Sequence, residues 1–465
     1  MEGSDIEIIR EIPGILRAAL SNGGDFAEIF VEERVSASIG CEDRKIERVI
    51  SGTDKGAGLR VVVGDMTAYA STNDLTAAGL RDLAERVSRG VSASAGKYVF
   101  PEVSAVEFGK KAIKYPSRIG SGEKVAKVLE AEEVAWSYGD RITQVQVRYG
   151  DSQQRVIIAN SDGLFVSDER NYIIFLVQAV ARKGDVIQTG YEPAGGAMGF
   201  ELFDETGPSQ VARLAAERAL KMLDAGPAPT GIMPVVISSE AGGTMIHEAV
   251  GHGLEADLVQ KGLSVFAGKV GEKIASEDVS VHDDATLERR RGSFAVDDEG
   301  TPSQRTVLVE NGILKSYMYD LGTAKKDGLR STGNGRRESY RHSPIPRMTN
   351  TLIAPGSERP EDVLAATDKG LFVKRMGGGQ VNTINGDFMF DVGEAHIIRG
   401  GEVKEPVRGA SLIGNSSKVL AQIDMVADDL GFGVGTCGKD GQGSPVSDAQ
   451  PTLRIEGITV GGTNA

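Results

Sequence analysis

Cysteine, histidine and tryptophan are scarce in this 465-residue chain, at two, five and one. Two cysteines, Cys41 and Cys437, are too few for a disulfide framework, which points to a reducing compartment, the cytoplasm, rather than secretion. Long apolar runs are lacking too. The longest wholly apolar stretch, Ile173 to Val177, is strand length and far short of the ~20 residues that span a bilayer. The start, MEGSDIEIIREIPGILRAAL, is acidic and interrupted by Pro13, and does not read as a signal peptide. Positive charge is in deficit: 66 acidic residues against 52 basic give −14, which removes any general electrostatic reason to hold nucleic acid or an anionic membrane. The remainder is ordinary: 40% hydrophobic and 25% charged residues are a globular balance. The length exceeds what one core organises, so two domains are expected.

Glycine is abundant. The 60 glycines are roughly twice the usual share of about 7%, dispersed without a period and concentrated after residue 225. The opening to about Asn22 has helical spacing with a possible break at Pro13. The runs AEIFVEERVSASIG and GLRVVVGDMTAYAST alternate apolar and polar residues, as a sheet with one wet face would. Residues 75–91 and 122–136 return to helical spacing, with Val125, Val128 and Leu129 on one face. Strand patterns recur from Ile142 to about Gln188. Pro208 then opens a helix whose Val211, Leu214, Ala215, Ala219, Met222 and Leu223 share a side. The run AGPAPTG at 225–231 ends it and marks the expected boundary between an N-terminal domain, 1–225, and a C-terminal domain, 226–465. Beyond it, PVVIS is an apolar strand, EAGGTMIHEAVGHGLEAD reads as a turn into a helix, and LVENGILKSYMYD and EAHIIRGGEVKEP carry hairpin signals. The pattern is α+β, with a strand-rich second domain.

Two of the five histidines fall within six residues, in IHEAVGH: His247 and His252, with Glu248 beside the first. Imidazoles suit Zn²⁺, and a carboxylate next to a ligand is where a hydrolytic zinc site keeps its general base. The usual helical spacing is His-Glu-x-x-His, and here one more residue intervenes. On a regular α-helix positions i and i+5 differ by roughly 140°, too far apart for two rings to grip one ion. A π-bulge would bring them back to one face, and Gly251 and Gly253 could support such a distortion or a break. Cys437, in the glycine-rich stretch GFGVGTCGKDGQGSP, is the third donor of choice. Beside Gly438 and Lys439 in what looks like a polar loop, it does not read as a buried hydrophobe, whereas Cys41 does. Glu255, three residues after His252, is the alternative third ligand. His282, His342 and His396 read as structural histidines. The arginines at 289–291 and Arg336, Arg337, Arg341 and Arg347 read as salt-bridged or solvated, with capture of a peptide carboxylate as a minor use.

The segments IHEAVGHGLEAD, RRGSFAVDDEGTPSQRTVLVENGILKSYMYD, GGGQV and TCGKDGQGSPVSDAQPTL, with DKGAGLRVVVGDMTAYAST in the first half, together resemble the TldD branch of the TldD/PmbA (TldE) metalloproteases. The resemblance extends along nearly the whole chain and is most specific at the HExxxH and CGKxGQ segments. It implies a zinc peptidase that acts on unfolded or extended peptides, including removal of leaders from peptide precursors. It also implies a heterodimer in which a TldE-like partner lacks the ligands; a homodimer of the isolated chain is conceivable. Residue by residue it assigns His247, His252 and Cys437 to the metal and Glu248 to acid/base work. Backbone N–H groups of glycine-rich loops such as Gly377–Gly379 are candidates to stabilise the oxyanion. An extended peptide suits addition to a strand edge. Two rivals stand beside this reading: a metal-independent cysteine hydrolase using Cys437, and a non-catalytic regulator that holds metal structurally.

Overall fold

Period-two alternation in the first half builds one twisted sheet. The computed structural model describes residues 3–91, 98, 100, 106–107 and 112–462. Its first sheet runs in the order Met66–Thr72, Lys45–Val63, Phe26–Glu42, Ile142–Asn160, Phe165–Lys183, and the last of these also pairs with Val186–Gly196 and Val106–Glu107. Odd-numbered residues of Phe26–Glu42 face helices. Ile29 and Val31 pack with Ile12 and Leu16 of helix Gly3–Ala19 and with Leu80 and Leu83 of helix Ala77–Arg89. Further along the same face, Ile39 and Cys41 pack under helices Ser121–Trp136 and Pro208–Leu223. The latter buries Val211, Ala215, Ala219, Met222 and Leu223 as its spacing predicts, each larger apolar side chain contributing about 1.5–3 kcal/mol. The first helix continues through Pro13 instead of breaking, with Ile12, Ile15, Leu16 and Ala19 buried on one side. In Ser121–Trp136 the buried face is Val128, Ala131 and Ala135, which leaves Leu129 in solvent.

The expected wet face is dry over Glu28–Glu32, although Ser36 farther along the strand is exposed. Even-numbered residues of the same strand turn toward the second half of the chain. Phe30 packs with Val156, Ile158, Val296 and Tyr340, and the polar members of the alternation are buried beside it. Glu28 accepts from Arg337 and, at 2.9 Å, from Arg60. Glu32 accepts from the Tyr340 N–H at 2.8 Å. Arg170 pairs with Asp168 at 2.9 Å and with Asp298 from the second half. Alternation is therefore right about side-chain direction. The polar side meets buried ion partners where water was expected.

Burial alone would raise the Asp298 carboxyl, but Arg170 and Arg337 outweigh it and hold it below its ordinary value. A depressed folded value adds stability above about pH 4 that drains away as pH falls further. Its neighbour Asp297 is pushed up to about 7 by burial, despite three backbone N–H bonds, and so favours folding progressively as pH falls from about 7 toward 4. Melting temperatures from pH 3 to 8 are expected to show both limbs. Asp298→Asn should flatten the loss below pH 4, and Asp297→Asn the gain between 7 and 4.

The boundary expected at 225/226 falls between helix Pro208–Leu223 and the two-residue strand Gly226–Pro227, which pairs in parallel with Glu402–Arg408 of the second half. In that half, Gly231–Ile237, Lys369–Val381, Asp387–Arg399, Ser411–Asn415 and Leu453–Gly461 pair so that the sheet closes on itself. A second sheet runs Ile313–Leu314, Arg305–Glu310, Val281–Asp284, Asn350–Ile353, Gln442–Gln450, Gly431–Lys439. Both expected hairpins form, with positive φ at Asn311 and Gly312 in one turn and at Gly400 and Gly401 in the other. The fold is a strand-rich α+β type. Among the described residues no helix is long and apolar enough to cross a membrane.

Candidate metal centre

The apolar strand Gly231–Ile237, with Val235, Val236 and Ile237 fully buried, delivers the chain to the floor of the site. A 3-10 turn, Ser239–Ala241, capped by the Ser238 hydroxyl, leads to Gly242 at φ +70° and Gly243. A short helix, Thr244–Ile246, begins there. Its backbone lies so close to strand Gln442–Gln450 that a Cβ on Gly243 would stand 2.3 Å from the Ala449 nitrogen. Asp448 fixes the approach by accepting from the Gly243 N–H at 2.8 Å. Gly243→Ala is therefore expected to push the helix off this strand. It should cost about 1–3 kcal/mol of stability, read by denaturant titration, and weaken metal binding.

His247–Gly251 is a π-helical turn, closed by the His252 N–H donating to the His247 carbonyl. A 3-10 turn, His252–Leu254, follows. The wider turn resolves the spacing problem: the two imidazole centroids are 5.2 Å apart. Met245, Ile246, Ala249 and Val250 anchor the turn in the core.

Cys437 lies in strand Gly431–Lys439, not in a loop, and it is buried. This corrects the sequence expectation. Asp440 and Gly441, both at positive φ, make a tight hairpin turn to Gln442–Gln450 and pair Cys437 with Ser444. The flanking glycine that suggested a loop belongs to a strand, and Lys439 is neutralised inside the protein by Asp257 at 2.6 Å and Glu255 at 3.1 Å. Arg347, fully buried, clamps the hairpin by donating to the carbonyls of Cys437 at 2.6 Å and Gln442 at 3.1 Å.

The donor atoms of His247, His252 and Cys437 all lie within 4.8 Å of one another, and Cys437 Sγ is 3.4 Å from His252 Nε2. Among the described residues His247 Nδ1 is buried without a hydrogen-bond partner. Burial alone would push the Cys437 thiol up, but hydrogen bonds from His247 and His252 and their charge outweigh it and bring it down to about 5. Burial likewise opposes protonation of the rings, yet Cys437 raises His247, and Glu255 with Cys437 raises His252. A thiolate with two imidazoles is a donor set that fits a divalent zinc ion, which would replace the protons held there. Glu248 is half-buried, and its carboxylate makes no hydrogen bond or ion pair among the described residues.

Glu255 sits behind His252, with Oε2 3.0 Å from Nδ1, the nitrogen that faces away from Cys437. That places it outside the donor trio. His282 contacts Arg305, His342 contacts Ser339, and His396 contacts Glu394 and the Lys404 carbonyl. Of the arginines, Arg289, Arg337 and Arg341 are paired with carboxylates, whereas Arg336 and Arg347 are buried against backbone carbonyls. Gly377–Gly379 fall within strand Lys369–Val381, and the Phe390 ring fills the space a Cβ on Gly379 would need. Arg347 and Lys439 escaped the sequence reading of the site. The one available signal was that Lys439, two residues from Cys437, shares its side of a strand.

Family models described as PmbA/TldA metallopeptidase domain 1, central domain and C-terminal domain match residues 27–91, 114–223 and 230–462. The chain belongs to the PmbA/TldD metallopeptidase family. A metalloprotease TldD homolog of Haemophilus influenzae is 37% identical over 450 residues, covering 95% of this chain and 93% of that protein. A zinc metalloprotease TldD homolog of Saccharolobus solfataricus is 28% identical over 455 residues, 96% of this chain and 99% of that one. The fold is shared with TldE from Thermococcus kodakarensis, at TM-score 0.76 and 21% identity over 97% of this chain and 99% of that one. It is also shared with a protein described as a putative modulator of DNA gyrase from Thermotoga maritima, at TM-score 0.81 and 22% identity over 97% and 100%. A TldD/PmbA-type metallopeptidase is the class into which this chain falls.

Proposed function

We propose that the protein is a zinc-dependent peptidase in which His247, His252 and Cys437 hold the ion and Glu248 moves the proton. The observation that carries this reading is the convergence of three donors, two at either end of a π-turn and one from a strand 185 residues further along the chain. Zinc bound there would polarise a scissile carbonyl and acidify water. Glu248, next to His247 and free of hydrogen bonds among the described residues, takes a proton from the attacking water and delivers it to the leaving amine nitrogen. Arg347 holds the Cys437 carbonyl, so the thiolate strand stays in register while this happens.

The substrate proposed is an unfolded or extended peptide, including peptide precursors that lose a leader. Strand Gly431–Lys439 ends its sheet among the described residues, so an extended chain has an edge to pair with beside Cys437. The partner proposed is a TldE-like chain, with a homodimer open to the isolated subunit, and the setting is the cytoplasm, in keeping with two unbridged cysteines. One observation favours a second reading. A thiol held at about 5 beside two imidazoles is also the pairing of a cysteine nucleophile. Chelation separates the two. One zinc per chain, with peptide hydrolysis lost to a chelator and restored by Zn²⁺, supports the metal enzyme. Hydrolysis that persists in zinc-free protein supports the thiol enzyme.

A further inference from the structure

The donors of this site come from two segments far apart in sequence, and a buried ammonium ties those segments together. Lys439 Nζ lies 3.1 Å from Glu255 Oε2 and 2.6 Å from Asp257 Oδ1, and it donates to the Pro346 carbonyl at 2.9 Å. The ammonium donates hydrogen bonds to Asp257 and to the Pro346 carbonyl and forms an ion pair with Glu255. The Lys439 side chain is 7% exposed and that of Glu255 fully buried, so neither partner is shared with solvent. Lys439 stands two residues from Cys437 on the same strand, hence on the same side of it. Glu255 stands three residues from His252 and accepts its Nδ1–H at 3.0 Å, which leaves Nε2 directed at Cys437 Sγ.

We propose that Lys439 and Glu255 are positioning residues that fix the orientation of the His252 ring and its separation from Cys437, and so set how tightly the site grips a divalent ion. The proposal rests on the metal-site reading above. Its chemistry is that of a carboxylate–imidazole–metal arrangement with one addition: the carboxylate is itself pinned from the strand that carries the sulfur. Rotation of the His252 ring would break its bond to Glu255. Sliding of the Cys437 strand would break the Lys439 bonds to Glu255 and Asp257. Either motion therefore costs a buried charge its partner. Replacing a buried ion pair by neutral groups of like shape is often close to neutral for stability, so fold stability and ion affinity should separate on mutation.

The test uses the full chain. Zinc dissociation constants are measured by competition with a chromophoric chelator, together with the sulfur-to-Co²⁺ charge-transfer band of the cobalt-loaded protein and the melting temperature of the metal-free protein. In Glu255→Gln/Asp257→Asn/Lys439→Met, which neutralises the ammonium and both of its carboxylate partners together, the zinc dissociation constant is expected to rise about 10–100-fold. The cobalt band should shift and broaden, while the metal-free melting temperature stays close to that of the parent. Lys439→Arg keeps the charge and should restore most of the affinity. Unchanged zinc affinity and an unchanged cobalt band in the triple variant overturn the proposal. If the triple variant does not fold, Glu255→Gln alone decides: a dissociation constant raised about tenfold supports the proposal, and an unchanged one overturns it. Cys437→Ala is the separate control. Should that variant bind zinc like the parent, the metal-site reading fails, whatever Lys439 does.

Discussion

Glu248→Ala is expected to leave zinc content and melting temperature unchanged while lowering kcat for peptide cleavage by about 10²–10⁴-fold. The carboxylate is half-buried and bonds to nothing among the described residues, so its removal breaks no structural contact. It stands beside His247 at the start of the π-turn without belonging to the donor trio, so the ion should stay in place. The loss should fall on kcat more than on KM, because a proton carrier acts in the transition state and not in ground-state binding. Zinc content comes from elemental analysis of the purified variant, and the rate loss from steady-state kinetics on an unstructured peptide. Cleavage at parental rate would remove Glu248 from the mechanism. Loss of zinc would make it a structural residue.

Cys437→Ala is expected to weaken zinc binding by roughly a thousandfold, since one of three protein donors to a binding free energy on the order of 10–16 kcal/mol is removed. The same change should not unfold the chain. The strand that carries Cys437 is held by its hairpin turn and by Arg347 through backbone carbonyls that the substitution leaves intact. Alanine is also small enough for the buried position. Equilibrium dialysis against buffered zinc reads the affinity, and far-UV circular dichroism with thermal melting reads the fold. A variant that keeps parental zinc affinity but loses hydrolysis would favour the thiol enzyme instead.

These two outcomes concern residues that were visible in the sequence, and for a physical reason. Scarce histidines at i and i+5 with an acid between them allow one metal-competent geometry on a helix, an over-wide or broken turn, and the π-turn His247–Gly251 is the former. Alternation of period two likewise dictated which residues of AEIFVEER share a face, because side chains of a strand must alternate. Helix Pro208–Leu223 followed from its own spacing. Each of these is a property of neighbouring residues, so a local pattern determines it.

Tertiary structure decided the rest. The polar face of the first sheet meets Arg337, Asp298 and Tyr340 where water was expected, and alternation cannot distinguish the two because both reward a polar side chain. Cys437 looked exposed because Gly and Lys surround it; it is nonetheless buried, and Glu255 and Asp257, some 180 residues earlier, neutralise Lys439 inside the protein. Glu255 had the right distance in sequence to be a ligand, and its carboxylate nonetheless faces the far nitrogen of His252. What a residue is placed to do along its own element can be read from the chain. Which charge from elsewhere cancels its own depends on packing between distant segments, and no local spacing encodes that.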